Sequence, residues 1–127
     1  MQINPIDYVL VVDDSASMVK IVSNIIAKLG YKNIDTASCG AEALQKIRQT
    51  SYKLILSDWN MEPMTGLEFL QNVRKTPNAP TASDVKFKLI TAESKPENII
   101  AAKQAGVSGY VVKPFTADTL KAKIEAL

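Results

Sequence analysis

Several β-rich runs in this 127-residue sequence end on side chains able to do chemistry. "VLVV", Val9 to Val12, runs into the adjacent pair Asp13 and Asp14, and "LILS" runs into Asp58. "FKLI" is followed by Thr91, and "YVV" by Lys113. Two neighbouring carboxylates raise each other's cost of ionisation, and a third brought to the same place would raise it further, so a positive partner is expected among them. A hard cation with oxygen ligands fits. Mg²⁺ suits one to three carboxylates and leaves room for waters and phosphate oxygens. An ionised carboxylate is already a nucleophile, so such a site needs no general base, and the sequence contains no His to act as one. Taken singly, each residue has a plainer use. An Asp or Ser before a helix serves as a cap, and Ser15 competes with the doublet for that role. Asp58 could open a turn, Thr91 could cap a helix, and Lys113 could be a solvated surface lysine. Their joint placement at four strand ends is what argues for a site.

That argument depends on the elements carrying them. The runs Tyr8 to Val12, Ile34 to Ala37, Leu54 to Ser57, Phe87 to Ile90 and Tyr110 to Val112 read as five short strands. Between them "SMVKIVSNIIAKLG", "GAEALQKIRQ", "TGLEFLQNVRK" and "KPENIIAAKQAG" space their apolar residues as helices do, and "FTADTLKAKIEAL" adds a fifth helix with Thr116 as its N-cap. Strict alternation of strand and helix calls for a parallel sheet with helices on both faces. The small version of this α/β class is the flavodoxin-like (βα)5 doubly wound fold, a five-stranded parallel sheet of order 2-1-3-4-5. In open sheets of this kind ligands bind beyond the carboxyl ends of the strands, so Asp13, Asp14, Asp58, Thr91 and Lys113 are expected on one rim. The Pro-containing stretch "KTPNAPTASDVK" reads as a long surface loop rather than a boundary, and the chain is read as one domain over residues 1–127.

Composition removes other classes. Fifteen basic against thirteen acidic side chains leave a net charge of +2 with no basic run, which gives no footprint for nucleic acid or a membrane surface. A single Cys39 excludes an internal disulfide and reads as a packing residue, and no stretch approaches the length of a membrane span. A reduced cytoplasmic setting is expected. Met18, Met61 and Met64 read as gap-filling core residues.

"VVDDS", "SDWNM", "TAE", "ENIIAA" and "SGYVVKPFT" together make the sequence similar to the response-regulator receiver domain of two-component systems, and to its chemotaxis branch in particular, over nearly the whole chain. The resemblance implies a phosphorelay switch rather than an enzyme, with self-catalysed phosphorylation and dephosphorylation. Asp58 would be the phosphoacceptor. Mg²⁺ would be held by Asp14, Asp58 and the main-chain carbonyl of Asn60, with Asp13 acting largely through water. Thr91 and Lys113 would bind the phosphoryl oxygens, the Lys113-Pro114 bond would be cis, and Thr91 and Tyr110 would form the switch. The implied donor is the phosphohistidine of a sensor histidine kinase. The implied output partner docks on the face built from "PENIIAAKQ", the fifth strand and the last helix; a flagellar motor component is one candidate, and a phosphatase is a further partner.

Two features depart from the family pattern. Where the family commonly reads Met-Pro-x-Met-Asp-Gly, this chain has Met61-Glu62-Pro63-Met64-Thr65-Gly66, which brings an extra carboxylate into the loop after Asp58. Glu62 there and Glu93, which follows the fourth strand, are accessory candidates. The stretch between Arg74 and Phe87 is also a few residues longer. Two alternatives remain open at this point: an Mg²⁺-dependent phosphohydrolase with an aspartyl nucleophile, and the receiver portion of a DNA-binding regulator.

Overall fold

Successive side chains of the first strand, β1 (Tyr8–Val12), point into two different cores, and that alternation organises the molecule. The structure, a computed structural model, describes residues 4–76, 78–92 and 95–125. Strands β2 (Asn33–Ala37), β3 (Tyr52–Asp58), β4 (Lys86–Thr91) and β5 (Gly109–Val112) join β1 in one sheet of order β2-β1-β3-β4-β5. All four pairings are parallel. Helices α1 (Ala16–Lys28), α2 (Gly40–Ile47), α3 (Gly66–Arg74), α4 (Pro96–Gln104) and α5 (Ala117–Glu125) fill the connections, as the alternating pattern requires.

Leu10 and Val12 of β1, Ile55 of β3, and Phe87 and Leu89 of β4 face one way. They pack with Ala43 and Ile47 of α2, Phe69, Leu70 and Val73 of α3, and Ala102 of α4. Val9, Val11, Leu54, Leu56, Ile90 and Val111 face the other way, onto Val22 and Ile26 of α1 and Leu120 and Ile124 of α5. Each fully buried aliphatic side chain of this kind is worth about 1.5–3 kcal/mol over leaving it in water. The two cores rather than the helix propensities therefore hold the elements. Phe69 and Phe87 add a tilted ring pair at 5.4 Å between centroids.

The helix starts are set locally. Ser15 Oγ accepts from the Met18 N–H at the head of α1, Thr65 and Glu68 form a capping box on α3, and Thr116 Oγ1 accepts from the Thr119 N–H on α5. Gly30 at φ 104° ends the α1 segment, where few other residues adopt that conformation readily. The long loop before β4 is held by Arg74, whose guanidinium donates to the carbonyls of Ser83 at 2.9 Å, Val85 at 2.7 Å and Gly106 at 2.6 Å.

Strands β3 and β4 run further than the apolar runs alone suggest. β3 begins at Tyr52, whose ring meets Tyr8 edge-on, and ends at Asp58, which pairs in register with Ile90. Thr91 likewise pairs with Val112. Asp58 and Thr91 are thus the last residues of their strands rather than the first of the following loops, because parallel pairing continues past the hydrophobic stretch. Among the described residues no helix is long and apolar enough to cross a membrane.

Candidate functional site

The carboxyl ends of β1, β3, β4 and β5 meet at one rim. The Asp13 N–H extends the ladder to the Ala37 carbonyl at 3.1 Å, which fixes the start of the β1–α1 turn, and the Ser15 N–H donates to Asp13 Oδ1 at 2.9 Å. Asp13 and Asp58 are buried and Asp14 is exposed. Ligand oxygens from all three lie within 4.8 Å of one another. Lys113, the residue after β5, places Nζ 2.9 Å from Asp58 Oδ1. Its own N–H donates to the Thr91 carbonyl at 2.8 Å, so lysine and threonine are held side by side by backbone. Thr91 is buried.

Burial pushes the Asp13 carboxyl up from its ordinary 3.8 to about 6; the Ser15 N–H opposes this, Asp58 adds to it, Lys113 opposes it and Asp14 adds to it. One ammonium does not compensate three clustered carboxyls. Hard oxygen donors, close spacing and an uncompensated acid fit a divalent cation such as Mg²⁺. A groove of about 600 Å³ runs from Asp13 and Asp14 between α1 and the β2–α2 turn, past Lys20, Asn24 and Lys46, and gives water and ions a way in.

The loop after Asp58 carries the other candidates. The Trp59 N–H donates to the Ile90 carbonyl at 3.0 Å, and the Trp59 carbonyl accepts from Met61 at 3.1 Å and Gly66 at 2.8 Å. Asn60 is exposed between them, two residues beyond Asp58, and Glu62 is exposed further along. Glu62 makes no ion pair among the described residues. Glu93 lies outside the described residues. Lys113-Pro114 is cis, and so is Glu62-Pro63, which the residue pattern did not announce. Tyr110 packs, half-buried, against the core shared by α2, α3 and α4. Gly66 is a positioning residue that sequence reasoning passed over. A Cβ there would overlap the Asp58 carbonyl oxygen, so only glycine lets α3 start against the end of β3. The glycine at the head of that helix was its one signal.

The family model described as "Response regulator receiver domain" matches residues 9–125. This chain belongs to the response-regulator receiver family. Among receivers, the chemotaxis protein CheY-3 of Vibrio cholerae is 41% identical over 119 residues, which cover 94% of this chain and 89% of that protein. The chemotaxis protein CheY of Pseudomonas aeruginosa is also 41% identical, over 124 residues and 94% of each chain. The solved structure of the Vibrio cholerae chemotaxis protein CheY4 superposes with a TM-score of 0.87 at 36% identity, covering 95% of this chain and 98% of that one. A response regulator receiver protein from Pseudomonas putida, 19% identical, reaches a TM-score of 0.86 and shows the shared fold alone.

Proposed function

We propose that residues 1–127 form one receiver domain acting as a cytoplasmic, chemotaxis-like response regulator, in which Asp58 accepts a phosphoryl group from the phosphohistidine of a sensor kinase. The observation that carries this reading is the Lys113 ammonium 2.9 Å from a buried strand-end carboxylate that shares a 4.8 Å cluster with Asp13 and Asp14. Asp13, Asp14, Asp58 and the Asn60 carbonyl are the groups that would hold Mg²⁺. When bound, the ion would supply positive charge to the phosphoryl oxygens.

The chain's own residues account for the rest. An Asp58 carboxylate oxygen forms the new bond to phosphorus as the P–N bond to the donor imidazole breaks, and the electron pair stays on that nitrogen, which takes up a proton. Lys113 stands where it can leave Asp58 Oδ1 for an equatorial phosphoryl oxygen, stabilising charge that spreads in the transition state. The Thr91 hydroxyl, at the neighbouring strand end, is the donor for a second phosphoryl oxygen. Its movement toward the phosphoryl group would free space that Tyr110 fills, altering the surface of α4, β5 and α5 on which an output partner docks. Couplings of this kind are modest, about 1–3 kcal/mol. The experiment is direct. Acetyl phosphate with Mg²⁺ should add one phosphoryl group by intact mass, and Asp58→Asn should abolish it; full labelling of that variant would overturn the assignment.

A further inference from the structure

At the pole of the sheet opposite Asp58, where the strands begin, lies a second cavity of about 510 Å³. It opens between the turn before β1, the start of β3 and the loop that leads into β4. That loop belongs to the stretch between Arg74 and Phe87 that departs from the family pattern in length, so one wall of the cavity comes from this chain's own variation.

The walls are pinned. Thr81, buried within the loop, accepts from the Tyr52 N–H at 2.9 Å and donates to the Thr50 carbonyl at 2.6 Å. Arg74 Nη1 donates to the carbonyls of Ser83 and Val85, and the Val85 N–H donates to the Ala82 carbonyl at 3.1 Å. On the other side the Asn4 N–H donates to Asp7 Oδ2 at 2.8 Å, and Asn33 Nδ2 donates to the Ile6 carbonyl at 2.8 Å. A cavity whose walls are already fixed costs a ligand little reorganisation.

The charged groups on those walls are not pinned to one another. Asp7 and Asp84 line the cavity together with Lys53 and Lys86, yet no two of the four form a salt bridge. Both signs are therefore left for an incoming molecule. Lys53, Asp84 and Lys86 are exposed, as are Pro80 and Ala82, which supply apolar surface beside the largely covered Val85. The volume exceeds what a lone ion needs and lies within the range of small-ligand sites, about 300–1,000 Å³. A single anion or cation would pair with two of the four side chains and meet its own sign in the other two, whereas a molecule carrying both charges suits all four.

We propose that this cavity binds a small zwitterion with an apolar body, of the size of a dipeptide. Its ammonium meets Asp7 or Asp84, its carboxylate meets Lys53 or Lys86, and its side chains lie on Pro80, Ala82 and Val85. The site depends neither on the phosphoryl chemistry nor on the output surface proposed above.

The test is a resonance titration of the full chain, without Mg²⁺ or a phosphoryl mimic, with alanyl-leucine as the probe. Amides of residues 6–8, 51–53 and 81–86 should shift saturably, while those beside Asp58 and Lys113 stay still. Acetylating the probe's amine or amidating its carboxylate removes one charge, and each change should weaken binding about fivefold, the worth of one partly exposed ion pair. Glycylglycine, with both charges and no apolar side chain, should also bind more weakly than alanyl-leucine. In a protein carrying Asp7→Asn and Asp84→Asn the acetylated and free probes should bind alike; in one carrying Lys53→Gln and Lys86→Gln the amidated and free probes should. A capped form that binds the unaltered protein as tightly as free alanyl-leucine points to a chain terminus or a single ion instead and overturns the proposal. Shifts that fail to saturate, or that fall elsewhere on the chain, overturn it too.

Discussion

Lys113 and Lys88 both extend from the β4–β5 half of the sheet, yet the molecule treats the two cations in opposite ways. Lys113 keeps about a quarter of its side chain exposed and meets a carboxylate at 2.9 Å, whereas Lys88 is nearly covered and meets only a backbone carbonyl at 3.3 Å. The first cation is balanced inside the chain, by acids that arrive from two other strand ends. The second has no carboxylate partner among the described residues, and the charges acting on it are those of Lys123 and Lys86. A cation paired within the fold recovers part of its desolvation cost from its partner, whereas a covered one without a carboxylate bears that cost largely uncompensated. The contrast separates a cation with its counter-charge inside the fold from one with no carboxylate partner among the described residues.

The largest effect that would sharpen this contrast is kinetic. Lys113→Ala should slow labelling by acetyl phosphate about 100-fold, roughly the 2.7 kcal/mol lost when one preorganised charge-stabilising donor is removed. Lys88→Met should leave the same rate within about twofold. Time courses by intact mass measure both, and equal losses in the two variants would erase the distinction.

The acids around Lys113 give a pH signature on the acid side of neutrality. With the folded Asp13 carboxyl at about 6 and the unfolded one near 3.8, the metal-free fold gains stability from protonated Asp13. That contribution is fully present below pH 3.8 and is lost as pH rises through about 6. Mg²⁺ requires the ionised form, so its affinity should fall up to tenfold per pH unit below about 6. Asp13→Asn should remove this pH dependence of metal-free stability. Thermal melts across pH, with and without Mg²⁺, read the stability effect, and Trp59 emission offers a convenient titration signal for the metal. An affinity flat from pH 5 to 7 would count against the placement of Asp13 among the cation's neighbours.

Stability should separate the two lysines by sign. Lys88→Met replaces an incompletely satisfied buried ion by an apolar side chain of similar length, and is expected to add about 1 kcal/mol, or roughly 3–5 °C in melting temperature. Lys113→Met strands Asp58 among acids and is expected to cost about 2 kcal/mol in metal-free protein at neutral pH. Calorimetry of the two variants checks the pair, and a change of the same sign in both would break the comparison.

The smallest expected change lies between the two lysines, at Thr91. Thr91→Ala should keep labelling of Asp58 within about threefold, as expected if Lys113 and a cation at the acid cluster supply most of the charge stabilisation. The resonance shifts of residues 96–112 on beryllofluoride binding should nevertheless be lost in that variant. Retention of those shifts would place the switch elsewhere.

The sequence by itself determined five strands, five helices and the rim on which the acids, the threonine and the basic residue meet. Those features follow from local periodicity: runs such as "VLVV" and "LILS" can bury both faces only in a covered sheet, and Ser15, Thr65 and Thr116 mark helix starts through hydrogen bonds within a few residues. What depends on distant neighbours was not legible. The close approach of Gly66 to the Asp58 carbonyl is set by how α3 docks against the end of β3, and nothing in the residue pattern marks Glu62-Pro63 as cis. Lys88 shows the limit most plainly. In "KFKLIT" nothing in the spacing marks Lys88 as a covered residue. Only the tertiary structure decided that its face lies on the α5 side, because the burial of one side chain depends on which remote surface closes over it, and no spacing within the strand encodes that.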